Sequence, residues 1–272
     1  MQAGSETMTE TMTEMQGTPC WYELGTSDLE GAQRFYGALL GWSVKDAGMP
    51  GFDYRLASHG GDLVAGMMAL ADQTGAPPPN WTIYFAVDDC DGTAAAVTAG
   101  GGKVYVEPAD IPGTGRFAVL ADPQGAVFGV LQPLPMEEGS EGGNAFDQKK
   151  ESHGNWNELM TSDPEAGFGF YSGLFGWTKS TAVDMGDLGT YQVFAHQGAD
   201  IGGMMGLGNS PVPCWLAYFG VNGVDAAIGR IGDNGGKLVH GPHEVPGGAF
   251  IAVAQDPQGA YFAVVGPKEV AG

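Results

Sequence analysis

The chain contains a near-copy of itself. Residues 21–42 read WYELGTSDLEGAQRFYGALLGW, and residues 156–177 read WNELMTSDPEAGFGFYSGLFGW. At an offset of 135 residues the identities include Trp21/Trp156, Glu23/Glu158, Leu24/Leu159, Asp28/Asp163, Phe35/Phe170, Tyr36/Tyr171 and Trp42/Trp177. Further along the offset is 134: GGK at 101–103 matches 235–237, and DPQGAVFGV at 122–130 matches DPQGAYFAV at 256–264. A repeat spanning both halves requires each half to build the same unit. Two homologous domains, 17–133 and 152–267, are therefore expected. The segment between them, 134–151, is rich in Pro, Gly and charge, as a linker is. Residues 1–16 carry no Lys or Arg and no apolar core, so they read as a disordered tail rather than a secretory signal.

Within each half one pattern occurs twice. CWYELGT reads as a strand. Ser27 and Glu30 have the spacing of a capping box, repeated at Ser162 and Glu165. The following helix places Leu29, Ala32, Phe35, Tyr36 and Leu39 on one face, and Gly41 ends it. WSVKD, DYRLAS and LVAGMMAL are short strands between turn residues. WTIYFAVDD then opens a second round, with an Ala-rich helix over about 90–99 and the strands KVYVEP, GRFAVLAD and AVFGVLQP. The pattern is βαβββ, four times per chain, and an α+β fold.

Composition narrows the function. Acids outnumber bases 32 to 11, for a net charge of −21. That field repels nucleic acid and anionic lipid, so neither is an expected partner. The three cysteines, Cys20, Cys90 and Cys214, form no CxxC, which fits a reducing, cytoplasmic setting.

GxFYxxLxGW after the first strand and DPxG before the last resemble the vicinal-oxygen-chelate superfamily of glyoxalases, bleomycin-resistance proteins and dioxygenases. Its tandem glyoxalase-like members, of the actinobacterial 27-kDa antigen type, are similar in the W-x-E-L-x-T-x-D start and the GRFAVLxDPQGAxFxVL ending at 115–131. The resemblance implies two tandem domains, each a pair of βαβββ units forming a half-open barrel. It also implies a divalent ion held by His, Gln or Glu at set strand positions. Those positions fall here on Trp21 and Trp156, near Thr82 and Leu216, on Gly129 and Ala263, and near Gly66–Met67 and Gly203–Met204. Indole, glycine and alanine do not ligate such ions. No cofactor and no metal ligands are therefore expected, although a divalent ion is the usual guest of the family.

Strand alternation suggests what lines the cavities instead. With Trp21 facing inward, Glu23 does too; Trp156 and Glu158 follow the same count. Tyr84 shares a face with Thr82, and Tyr218 with Leu216. Met67 or Met68, and Met204 or Met205, come from the hairpin strand that faces inward. The expected ligand-binding set is Trp21, Met67, Thr82, Tyr84, Trp156, Met204, Leu216 and Tyr218, with Glu23 and Glu158 as candidate catalytic acids. Core packing explains the aromatics and methionines equally well. The glutamates have three readings: salt-bridged to Arg34 or Arg116 or capping amides, binding a ligand, or acting as general bases. His240 and His243 form an H-x2-H pair, but Pro242 is expected to break the element there.

Two functions follow. One is a metal-free protein binding a small aromatic or amphipathic molecule. The other is an enzyme, a glyoxalase-like lyase or isomerase or an oxygenase, using Glu23 or Glu158 or a relocated metal. A tandem chain carries its pairing partner covalently, so a monomer with an internal pseudo-dimer, or a homodimer, is expected.

Overall fold

The computed structural model describes residues 15–70, 77–134 and 144–270. Most of the expected tail, and residues 135–143 of the expected linker, lie outside these. The first half runs β1 (Pro19–Thr26), α1 (Leu29–Leu40), β2 (Ser43–Asp46), β3 (Tyr54–His59) and β4 (Asp62–Ala69). It continues with β5 (Asn80–Ala86), α2 (Cys90–Ala99), β6 (Lys103–Ile111), β7 (Gly115–Ala121) and β8 (Val127–Pro133). The second half repeats it with β9 (Gly154–Thr161), α3 (Pro164–Phe175), β10 (Thr178–Asp184), β11 (Thr190–His196) and β12 (Ala199–Gly206). Then come β13 (Cys214–Gly220), α4 (Val224–Asp233), β14 (Lys237–Glu244), β15 (Phe250–Gln255) and β16 (Tyr261–Gly266). The βαβββ pattern thus occurs four times. No helix among the described residues is long and apolar enough to cross a membrane.

Each half hydrogen-bonds one mixed eight-stranded sheet, in the order β2-β3-β4-β1-β5-β8-β7-β6 and its copy β10-β11-β12-β9-β13-β16-β15-β14. The β1–β4 and β5–β8 pairs are parallel, and the hairpins are antiparallel. Helix α1 buries Leu29, Ala32, Phe35, Tyr36, Leu39 and Leu40, and Gly41 closes it with φ of 67°. A left-handed turn of this kind favours glycine. The cap at the other end differs from the expectation. Asp28, not Ser27, accepts the amide of Gly31 at 2.9 Å, and Asp163 does the same for Ala166 at 3.1 Å. The carboxylate also places a negative charge at the positive end of the helix.

Packing groups the modules into two compact units. Of the described residues, one holds those within Trp21–Thr82, Gly142–Trp156 and Leu216–Gly272; the other holds those within Met1–Cys20, Ile83–Glu141 and Asn157–Trp215. Each unit therefore joins one βαβββ module from each half of the sequence.

The DPQG repeat helps to join them. In the first of these units the Asp256 carboxylate accepts the amides of Gln258, Gly259 and Ala260 at 3.0, 2.8 and 2.9 Å. Its other oxygen accepts Tyr36 Oη at 3.1 Å, and Trp81 Nε1 donates to Tyr36 Oη at 2.9 Å. Around this latch Tyr36, Trp42, Trp81, Phe219 and Phe262 pack with ring centres 5.0–6.0 Å apart, mostly edge to face.

The other unit repeats the latch with the halves exchanged. Asp122 accepts the amides of Gln124, Gly125 and Ala126, and Tyr171 Oη at 3.1 Å. Trp215 Nε1 donates to Tyr171 Oη at 2.9 Å. Phe85, Phe128, Phe175 and Trp177 complete that core.

Parts of the expected linker and tail are bound in place. Lys150 Nζ meets Asp62 at 2.6 Å, and Ala145 is buried. Gln16 Nε2 donates to the Leu174 carbonyl at 3.2 Å. Pro242 does not break β14, which runs through it as the outermost strand. A missing backbone donor is tolerated on such an edge.

Candidate functional site

The site in the unit holding Trp21–Thr82 begins with the alternation of β1. Tyr22 and Leu24 are fully buried, while Trp21 and Glu23 lie on the opposite face and are half-buried. Tyr54 Oη donates to Glu23 Oε2 at 2.8 Å, and Trp21 Nε1 donates to Tyr54 Oη at 3.0 Å. Burial, together with the adjacent Glu23 charge, pushes the Tyr54 phenol well above its usual range, so Tyr54 stays a donor. Gly66 pairs with Glu23 across β1 and β4. A Cβ at Gly66 would overlap the Tyr54 hydroxyl. The glycine therefore gives Tyr54 the room to reach Glu23. Phe52 extends the aromatic surface, stacked on Tyr54 with ring centres 6.1 Å apart.

Register corrects the expectation for the methionines. Met67 pairs with Leu24, on the core side, and is fully buried; Met68 pairs with Gly25 and shares the face of Gly66. Likewise Met204 pairs with Leu159 in the core, and Met205 follows Gly203 by two. Met67 and Met204 are core residues. Thr82 is on the expected strand, and its hydroxyl accepts Asn80 Nδ2 at 3.3 Å. Asn80 was not among the expected residues, although it stands two before Thr82 and so shares its face.

The counterpart in the unit holding Asn157–Trp215 is more apolar. Glu158 is buried and pairs with Gly203 across β9 and β12. A Cβ at Gly203 would enter the Tyr191 ring, so Tyr191 leans over this glycine as Tyr54 leans over Gly66. In the position of Asn80 stands Cys214, whose Sγ is 3.4 Å from Ser210 Oγ. Burial and, secondarily, the Glu158 charge raise the Cys214 thiol above its usual range, so it stays protonated. Trp156 is half-buried, two residues before Glu158 on β9.

The remaining expected residues are well packed. Tyr84 is buried and pairs with Gly129, where a Cβ would lie inside the Tyr84 ring. That ring fills the space beside the position where the resemblance implies a metal-binding glutamate. Leu216 and Tyr218 are buried, and Tyr218 pairs with Ala263. Arg116 is not a partner for Glu23: it holds Asp91 at 2.6 Å and Asp110 at 2.8 Å. Among the described residues no three His, Cys, Asp or Glu side chains gather as metal ligands do. The groups linked to Glu23 are the Tyr54 phenol and, through it, the Trp21 indole, which do not fit the ion of the metal-using family members.

Two mixed sheets built from four βαβββ modules define the class: a tandem fold of the glyoxalase and extradiol-dioxygenase type. The family model described as Glyoxalase/Bleomycin resistance protein/Dioxygenase superfamily matches residues 20–130 and again 154–264, and the chain belongs to that superfamily. CFP32 of Mycobacterium tuberculosis, whose name assigns it provisionally to the glyoxylases, is 34% identical over 93% of this chain and 95% of its own length. The anthracycline biosynthesis protein DauV of Streptomyces sp. (strain C5) is also 34% identical, over 93% of this chain and 94% of its own. The Mn(II)-bound glyoxalase of Novosphingobium aromaticivorans shares the fold with a TM-score of 0.63 at 19% identity, covering 94% of this chain and 84% of that one. The 2,3-dioxygenase LapB of Pseudomonas sp. KL28 does so at 0.62 and 16%, covering 92% and 93%.

Proposed function

We propose that this glyoxalase-like protein binds a small, flat aromatic or amphipathic molecule against Trp21, Glu23 and Tyr54 without the family's metal. The observation that carries the reading is the Trp21–Tyr54–Glu23 hydrogen-bonded chain on a half-buried strand face, with Gly66 making room for it. Indole and phenol rings offer stacking area, and one carboxylate supplies a directional polar contact. Anthracyclines, which appear in the name of one relative, are planar fused-ring aromatics, a chemistry that suits such a wall.

The rival reading makes Glu23 a general base. Tyr54 already donates to one carboxylate oxygen, which ties up a lone pair that a base would offer to substrate. That favours binding over proton abstraction. The test is titration of chelator-treated, tag-free protein with a panel of planar aromatics, followed by tryptophan fluorescence. Saturable binding that survives chelation and weakens in Glu23→Gln and Tyr54→Phe is expected. Binding that appears only with added divalent metal, or is indifferent to both substitutions, would overturn the reading.

A further inference from the structure

His240 and His243 are three residues apart, a spacing that puts side chains on opposite faces of a regular strand. The register of β14 changes this. His240 pairs with Val253 and His243 with Ile251, partners only two apart on β15, with irregular pairing between them. A bulge absorbs the extra residue, and both imidazoles come to one face. Their ring centres are 4.2 Å apart with planes tilted by 47°, and both residues are exposed. Among the described residues no hydrogen bond or ion pair engages their ring nitrogens. His59 and His153, by contrast, are engaged by backbone carbonyls and, for His153, by Asp62.

We propose that His240 and His243 form a two-imidazole site for a borderline divalent transition ion such as Cu²⁺, Ni²⁺ or Zn²⁺. Two imidazoles bound at about 2.0 Å and at right angles around one ion have ring centres roughly 4.5 Å apart, close to the spacing found. Imidazole nitrogen suits these ions better than Mg²⁺ or Ca²⁺, which take oxygen. No third His, Cys, Asp or Glu joins the pair among the described residues, so water completes the coordination and the ion exchanges. The site lies on the outermost strand of the second sheet and is independent of the ligand reading above.

The first half supplies a control. β6 carries the same pairing irregularities, between Val104 and Val106 and between Val106 and Ala109. Val106 and Ala109 stand where β14 has His240 and His243. The bulged backbone therefore forms without imidazoles, and the variant carrying His240→Val and His243→Ala is expected to fold.

The test is calorimetric titration of the chelator-treated chain with Cu²⁺ alone, with paramagnetic resonance of the bound ion. Wild type is expected to take up a stoichiometric ion with hyperfine coupling to two nitrogens. The double variant is expected to lose affinity by more than about tenfold, the loss that even outer-shell changes cause. Single His240→Gln and His243→Gln variants should each lose one coupled nitrogen, and they carry the test if the double variant misfolds. No stoichiometric uptake by wild type, or uptake unchanged in the single variants, would overturn the proposal.

Discussion

The two copies of the Asp–Tyr–Trp latch and the two copies of the Trp-x-Glu face have diverged by different amounts. The latches match bond for bond: Asp256–Tyr36–Trp81 and Asp122–Tyr171–Trp215 each join residues from opposite halves at the same distances. The faces keep only the glutamate, the tryptophan, the glycine and a leaning tyrosine. Asn80 and Thr82 on β5 are replaced by Cys214 and Leu216 on β13, and Glu158 is more buried than Glu23. The latch has one solution, because a buried carboxylate needs all its acceptors used. A cavity wall tolerates change whenever the guest changes. The difference indicates that the repeat preserves packing strictly and leaves the two proposed binding faces free to specialise.

The largest effects should come from the latches. Asp122→Ala removes the side-chain acceptor of three backbone amides, of which that of Ala126 is buried, and of the buried Tyr171 hydroxyl. A loss of about 3 kcal/mol or more is expected, with Asp256→Ala costing nearly the same. Urea unfolding measures both, and a gap above about 2 kcal/mol would break the claimed equivalence.

Gly66→Ala and Gly203→Ala come next, at roughly 1–3 kcal/mol each, because the new Cβ meets Tyr54 or Tyr191. Tyr54→Ala should relieve most of the Gly66→Ala cost in a double-mutant cycle. Simple additivity would show that the tyrosine is not what the glycine accommodates.

Tyr54→Phe removes one donated and one accepted hydrogen bond, for about 1–2 kcal/mol. Its signature should be a shift in Trp21 fluorescence, judged against a Trp21→Phe background. An unchanged spectrum would mean that the indole does not sense Tyr54.

The smallest expected effect is a pH dependence. Burial raises the Asp256 carboxyl above its ordinary value of 3.8, against hydrogen bonds from amides and Tyr36 that lower it. A carboxyl raised in the folded state makes stability fall as pH climbs from 3.8 through the folded value, and flat beyond it. Asp62 and Asp91 are lowered by their Lys150 and Arg116 partners and slope the opposite way. The informative quantity is therefore wild type minus Asp256→Asn across acid pH. That difference should decline with rising pH, and a flat or rising one would contradict the shift.

Much of the fold was legible in local pattern. The repeat, the βαβββ order, the buried face of α1 and the shared face of Trp21 and Glu23 all follow from periods of 3.6 and 2. The errors share a physical source. Met67 or Met68 facing the site is a question of parity, and parity is set by the register of β4 against β1. The Tyr54–Glu23 bond joins residues 31 apart. Ser27 and Asp28 are both good caps, and only the φ and ψ of the turn choose between them.

By itself the sequence determined that one module would be built four times, because a hydrophobic period repeated four times has to bury four similar faces. It also determined that aromatic side chains and a single acid would share a strand face. The tertiary structure decided which modules pack together, since modules of one shared pattern carry no local signal of their partner. It also decided which methionine is core, and that His240 and His243 meet on one face, since each depends on pairing between strands distant in the chain.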